Sequence, residues 1–473
     1  MTQKPLWQLS AVDAAEAIRE RRVSAEEVVL AHTARLHAAN PALNAVVVDL
    51  SDEALKTARA ADRAQAAGEA LGPLHGVPVT VKINIDVTGQ ANSNGVAGLR
   101  DNIAPGDSPV VSNLKGAGAI ILGMTNTPEF SMRWFTDNPL HGATLSPWDP
   151  AFTCGGSSGG AGASVAAGIG AIAHGNDIGG SLRWPASCNG VSTIKSTQGR
   201  IPAFNPSATV ERPLMAQFMS TQGPIARTVA DVRLGLEVMA RRDPRDPWWV
   251  PAPLSGPAPA RPIKVVVAPI PDDMEAHPAV LGLIDQAAGH LSDAGYDVTR
   301  GPIPDLMAAW RLWCDLISTE IATLQMAQMR ELGSAPFLQA LNGMLDIANI
   351  LDGEGYMRAI AQRTRVIREW MMFLEETPII LAPVSVQPTP RINTDLAGEA
   401  ALRRMFLNDF RFISAINVLG LPSAVTPVGL AAGLPVGAQL IASRYREDLC
   451  LDAAAAIEAR VGLLTPMLWA REG

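Results

Sequence analysis

A chain of 473 residues, 48% of them hydrophobic and 18% charged, is long enough for one large α/β domain or two to three ordinary ones, and buries a core without covalent staples. The formal charge of −8 argues against a nucleic-acid surface, which needs clustered Lys and Arg, and favours small or neutral partners. Cys154, Cys188, Cys314 and Cys450 form no CxxC pair, so neither a disulfide framework nor a zinc site is indicated, and a reducing compartment suits them.

In chain order, residues 1–70 read as helices: Ala14, Ile18, Val28, Val29 and Leu36 fall at helical spacing, and Ser10 and Ser24 stand where N-caps would. The start lacks the basic and apolar regions of a signal peptide, and no uncharged apolar run of membrane-spanning length follows; the expectation is a soluble cytoplasmic protein. "VPVTVKINIDV" alternates with β-branched residues and predicts a strand. "NLKGAGAIILGMTN" reads as a helix end and a strand, and "FTCGGSSGGAGASVAAGIGAIA" as a Gly-Ser loop leading into a helix. The Pro-rich stretch from Arg241 to Pro262 is a surface connection. Beyond it, "IKVVVAP", a helical "HPAVLGLIDQAAGHLSDAG" and "YDVTRG" restart the alternation. Long helices from about Leu306 to Glu376 follow, then late strands in "PIILAPV" and "PSAVTPVG". The pattern predicts an α/β layered fold with a mixed sheet and helices on both faces. It is treated as one domain over 1–473, with N-terminal helices in 1–70, a core in 71–240 and a C-terminal α/β part in 263–473.

Three places set a polar group among apolar or glycine residues: Lys82, the pair Ser157 and Ser158, and Ser181 in "GNDIGGSLRWPAS". Taken singly, a lysine ending an apolar strand is more often a snorkelling edge residue, and a Gly-Ser loop more often a turn. "DIGGS" is more telling, because flexible backbone N–H groups just before a hydroxyl are how an oxyanion hole is made from main chain. His75 and His174 have no evident acidic partner and read as loop or core histidines. A phosphate-cradling loop would need GxxxxGK[ST], and no lysine follows these glycines.

Together, "GGSSGG" and "GNDIGGSLRWPA", with 24 positions from Ser157 to Ser181, resemble the signature of the amidase signature family of serine hydrolases. The likeness continues in "GPLHGVPVTVK", "GMTNTPEF", "GPIARTVADV", "GLPSAVTPVG" and "GLPVGAQLIA". It implies an α/β/α sandwich around a large twisted mixed sheet, and amide hydrolysis by a Ser-Ser-Lys triad with no metal or cofactor. By this resemblance Ser181 matches the nucleophile, Ser157 the bridging serine on a cis peptide, and Lys82 the base. Ser158 matches a supporting serine. Ile178, Gly179 and Gly180 match backbone donors of the oxyanion hole, and Asp177 and Arg183 polar braces of the loop, for which a buried ion pair is the equal alternative.

Two positions depart from the pattern: Ile83 where Asp commonly follows the lysine, and Asn176 where Thr or Ser is common. They put the hydrogen bonding around Lys82 in question. Since lysine is ordinarily charged at neutral pH, burial beside Val79, Val81 and Ile83 must lower its pKa for it to act as base.

The expected partner is a small to medium uncharged apolar or aromatic amide; nucleic acid and membrane are not expected, and a homodimer is left open. Rival readings are the glutamine-hydrolysing subunit of a tRNA-dependent amidotransferase complex, which usually has Gln at the position of Trp184, a nitrilase-like enzyme using Cys154 or Cys188, and a non-catalytic amidase-like scaffold. Leu306, Trp310, Trp313, Ile317, Ile321 and Leu324 form one helical stripe and are assigned to core packing. Met307 and Cys314, off that stripe, are expected to reach a substrate pocket under a lid from the helices after Pro304, together with Met132 and Trp134.

Overall fold

The computed structural model describes residues 4–471; residues 1–3 of the opening stretch and 472–473 at the other end lie outside it. Eleven strands are formed: β1 (Val46–Asp49), β2 (Pro78–Lys82), β3 (Ile120–Thr125), β4 (Ile172–Asp177), β5 (Ser192–Lys195), β6 (Thr221–Ala226), β7 (Lys264–Val267), β8 (Asp297–Arg300), β9 (Ile379–Pro383), β10 (Ser423–Ala431) and β11 (Leu434–Ala442). They make one sheet in the order β1-β3-β2-β4-β6-β5-β10-β11-β9-β7-β8. The sheet is mixed: β2 lies parallel to β3 and β4, and β7 to β8 and β9, while the remaining pairs are antiparallel.

Helices cover both faces. On one face the core gathers Ile18, Val28, Leu114, Leu236, Ile284 and Ile457; on the other it gathers Val165, Trp184, Trp310, Met344, Trp370 and Ile416. Strand side chains alternate between the two cores: Val265 and Val267 join the first and Val266 the second, as the two-residue period of a strand demands. Val79 and Val81 pack into the first core, so Lys82 projects toward the second layer.

The N-terminal helices start where the sequence indicates. Ser10 caps Ala11–Arg19 by accepting from the Asp13 N–H, and Ser24 forms a reciprocal capping box with Glu27 ahead of Ala25–Leu43. The strands β1, β4, β5, β6 and β11 had no strand counterpart in the sequence reading. β1 has four residues between two helices, and β5 and β6 carry Lys195, Gln222 and Pro224, so each draws its stability from neighbouring strands more than from its own pattern.

The stripe expected after Pro304 also ends differently. The helix Leu306–Glu320 passes into a π-helical segment, Ile321–Gln325, before continuing as Met326–Leu332. The wider turn rotates the side chains beyond it out of register, and Leu324, assigned to the core, stands 66% exposed.

Candidate active site

β2 and β4 are parallel neighbours, and their carboxyl ends place Lys82 next to Asn176 and Asp177. The crevice outside the carboxyl ends of parallel strands is the usual binding place in sheets of this kind. Lys82 is fully buried; its Nζ lies 2.7 Å from Ser157 Oγ and 2.8 Å from Asn176 Oδ1. Burial holds the amine well below the ordinary lysine pKa, while the Asp177 carboxylate opposes the shift. A second buried lysine, Lys195, also falls, to about 7, through burial and the nearby Arg183, but its Nζ donates only to the backbone carbonyls of Ser196 and Leu421. Lys82 is thus the buried amine that meets a hydroxyl.

Ser157 follows a cis peptide bond after Gly156. A Cβ on Gly156 would come within 2.6 Å of the Arg133, Trp134 and Phe135 backbone, so only glycine lets the loop lie this close. Ser158 joins the two signature segments: its N–H donates to Ser181 O at 3.3 Å, and its Oγ lies 3.3 Å from Asn176 O. Asn176 answers the question raised by the departures from the family pattern. Its Oδ1 accepts from Lys82 and from Asn84 Nδ2, and its Nδ2 donates to Asn84 Oδ1. Asn84 in turn donates to Ser131 Oγ at 3.0 Å. Asn84 is the member of this amide pair that the sequence reading passed over; Asn176 was noted there as a departure from the family pattern. Asn84 stands two residues after the lysine, and Asn176 immediately before the predicted Asp177.

The segment before Ser181 is held from several sides. Asp177 accepts from the backbone N–H groups of Gly180 and Leu182, from Arg183 Nε and Nη2, and from Asn417 Nδ2, all buried. The Arg183 guanidinium and these donors keep its carboxyl well below the usual range despite burial. Trp313 Nε1 donates to Ile178 O at 2.7 Å, and Trp134 Nε1 to Gly179 O at 2.8 Å. With both carbonyls held, the intervening planar peptides cannot swing, so their N–H groups are fixed. The Gly180 N–H departs from expectation: at 2.7 Å from Asp177 Oδ1 it is already used. Among the described residues no hydrogen bond uses the N–H groups of Ile178, Gly179 or Ser181.

Ser181 sits where two cavities meet. One is a narrow apolar pocket walled by Met132, Trp134, Trp313, Leu341, Met344 and Phe406. The other is a wider polar channel that reaches Asn84, Ser157, Asn176, Arg212 and Gln222. Met132 and Trp134 line the pocket as expected, and helices after Pro304 supply much of its wall. The members differ from those expected: Trp313 and Ile317 face the pocket, whereas Cys314 is fully buried and Met307 packs against the core. The helix Leu306–Glu320 is buried on almost every side, so its apolar stripe could not tell pocket from packing. Phe130 and Ser131, which line the polar channel, have φ of 54° and 57° in the left-handed region, a conformation that costs about 1–3 kcal/mol per non-glycine residue.

The histidines and cysteines fall outside this constellation. His174 is buried with Nε2 2.8 Å from Gln222 Oε1, and burial lowers it to about 3. His75 pairs with the Ala61 carbonyl. Burial pushes Cys154 up to about 12 and Cys188 well above its usual range, which leaves both as inert thiols.

Ser157, bonded to the buried Lys82 amine, and Ser181 line the same channel, and among the described residues no hydrogen bond joins the two serine hydroxyls; fold and site together are those of a serine hydrolase of the amidase type. Comparison with known proteins makes the assignment specific. The family model described as Amidase matches residues 27–451. An indoleacetamide hydrolase from Bradyrhizobium diazoefficiens is 61% identical over 98% of this chain and 89% of its own. A glutamyl-tRNA(Gln) amidotransferase subunit from Moorella thermoacetica is 31% identical over 96% of each chain. The structure of 6-aminohexanoate cyclic dimer hydrolase complexed with substrate superposes with a TM-score of 0.84 at 27% identity, covering 98% of this chain and 100% of that one. The chain belongs to the amidase signature family, and its chemistry is amide hydrolysis.

Proposed function

We propose that this protein hydrolyses a primary amide of a flat aromatic acetic acid, releasing ammonia and the carboxylic acid, with Ser181 as nucleophile, Ser157 as proton relay and Lys82 as base. The observation that carries the reading is Lys82 Nζ, buried and depressed in pKa, 2.7 Å from Ser157 Oγ.

Neutral Lys82 takes the Ser157 proton as Ser157 takes that of Ser181, and Ser181 Oγ attacks the carbonyl carbon. The oxyanion is held by the N–H groups of Gly179, Ile178 and Ser181; Gly180 instead ties the loop to Asp177. The proton returns through Ser157 to the amide nitrogen, the C–N bond breaks, and ammonia leaves through the polar channel. Water adds to the acyl-enzyme by the same relay, and the acid departs. Substrate filling the site brings the two serine hydroxyls into line, as catalytic hydrogen bonds tighten in the complex.

The acyl group occupies the narrow pocket between Trp134, Trp313 and Phe406, where aromatic walls suit an aromatic ring. The 61% identity to an indoleacetamide hydrolase supports an indole-sized group. The amidotransferase reading is weaker: its Gln position holds Trp184, buried, with its indole N–H on Trp134 O and its ring against Phe410. The test is purified protein on indole-3-acetamide, phenylacetamide, glutamine and malonamate. Aryl acetamides should be turned over best, and Ser181→Ala should show no turnover and lose labelling by a sulfonyl fluoride. A preference for glutamine, or a label mapped to Ser157 or Ser158, would overturn the reading.

A further inference from the structure

The apolar pocket beside Ser181 contains one ion pair. Arg133 and Asp395 are its charged members, each 6% exposed, and they bond through two parallel contacts: Nε to Oδ2 at 2.7 Å and Nη2 to Oδ1 at 2.9 Å. Neither partner is fully paired. Arg133 also reaches Asn393 Oδ1 with Nη2 and stands 4.0 Å from Asp137 with Nη1. Asp395 receives nothing further from the described residues, although a carboxylate offers about four lone-pair sites. The pocket therefore retains acceptor capacity on one rigid carboxylate, whose bidentate hold by Nε and Nη2 leaves the two Nη1 N–H groups of Arg133 without a hydrogen bond among the described residues. Its position is fixed by the bidentate pair and by the turn Thr394–Leu396, whose Leu396 carbonyl accepts from Gln339.

We infer that Asp395 is the specificity-determining residue for the acyl group: its free lone pair accepts a ring N–H, selecting aromatic acyl groups that carry a donor over rings of the same shape without one. A donor-bearing ring completes a buried acceptor, whereas a donorless ring displaces water from it and returns nothing. This inference rests on the aryl acetamide reading and adds the chemical feature that distinguishes one aryl substrate from another.

The test compares kcat/KM for indole-3-acetamide with that for 1-benzothiophene-3-acetamide, which replaces the ring N–H by sulfur, in the native protein and in Asp395→Asn. The native ratio should be tenfold or more. In Asp395→Asn, where the amide oxygen pairs with Arg133 and the NH2 faces the ring, the ratio should fall to near one. A purely structural Asp395 would lower both substrates together and leave the ratio unchanged, which would overturn the inference. A native ratio near one would overturn it too, even if Asp395→Asn fails to fold, while leaving the aryl acetamide reading intact. Failure to hydrolyse either compound, alongside turnover of another amide, would instead overturn that reading and this inference with it.

Discussion

Replacing Trp313 by phenylalanine removes a single N–H, the donor that holds Ile178 O at 2.7 Å, and keeps an aromatic ring in the pocket wall. The freed carbonyl lets the Ile178–Gly179 peptide swing. Deleting an oxyanion donor outright costs about 10²–10³ in kcat, so loosening one that remains in place should cost less, about tenfold, equivalent to ~1.4 kcal/mol of barrier. Stability should drop by about 1–3 kcal/mol for the unpaired carbonyl. The same helix supplies a control. Trp310, fully buried one turn earlier, has no partner for its Nε1 among the described residues, so Trp310→Phe deletes an N–H that holds none of them. Steady-state kinetics on one aryl acetamide, with denaturant unfolding alongside, should show kcat lowered in Trp313→Phe and unchanged within about twofold in Trp310→Phe. Equal kcat losses in both, or none in Trp313→Phe, would refute the idea that the indole preorganises the oxyanion segment.

Two further outcomes follow from the buried charges. Because Lys82 has a lowered pKa when folded and an ordinary one near 10.5 when unfolded, the unfolded chain binds more protons between those values, and native stability rises with pH across that window. Lys82→Met should abolish turnover at neutral pH, and its stability relative to the native protein should decline as pH approaches 10.5; pH-independent relative stability in urea titrations would contradict a neutral buried amine. Asp177→Asn leaves the buried Arg183 charge unpaired and should cost about 3–5 kcal/mol in unfolding free energy; a loss under about 1 kcal/mol would show that the pair does not brace the loop.

The three positions proposed as the triad stood out in the sequence because their setting is local. Glycines flank Ser157 where no side chain fits, and the apolar alternation before Lys82 marked a buried strand. The features that escaped the sequence depend on distant chain segments. Asn84 and Asn176 are 92 positions apart and gain meaning only when β2 and β4 lie side by side. The Gly180 N–H was counted as an oxyanion donor because the motif supplies flexible amides, and nothing in one dimension shows that Asp177, three residues earlier, turns back to take it. The pocket wall joins Trp134, Trp313, Met344 and Phe406 from four separate elements, and the π-helical turn at Ile321–Gln325 broke the periodicity on which the stripe assignment relied.

The order of the sheet has a consequence for the chain as it is made. β5 carries Thr193 and Ile194, which pair with Val425 and Ala424 of β10, a strand that begins at Ser423, so 423 − 195 = 228 positions separate the end of one from the start of the other. At a ribosomal pace of about 5–20 residues per second, that edge waits roughly 10–50 s for its partner. Every residue of the proposed triad has been synthesised by then, on a half-sheet whose open side could pair with another nascent chain. The late strands thus do more than complete a wall: they seal the edge of a half, bearing the proposed triad, that is made well before it can be closed.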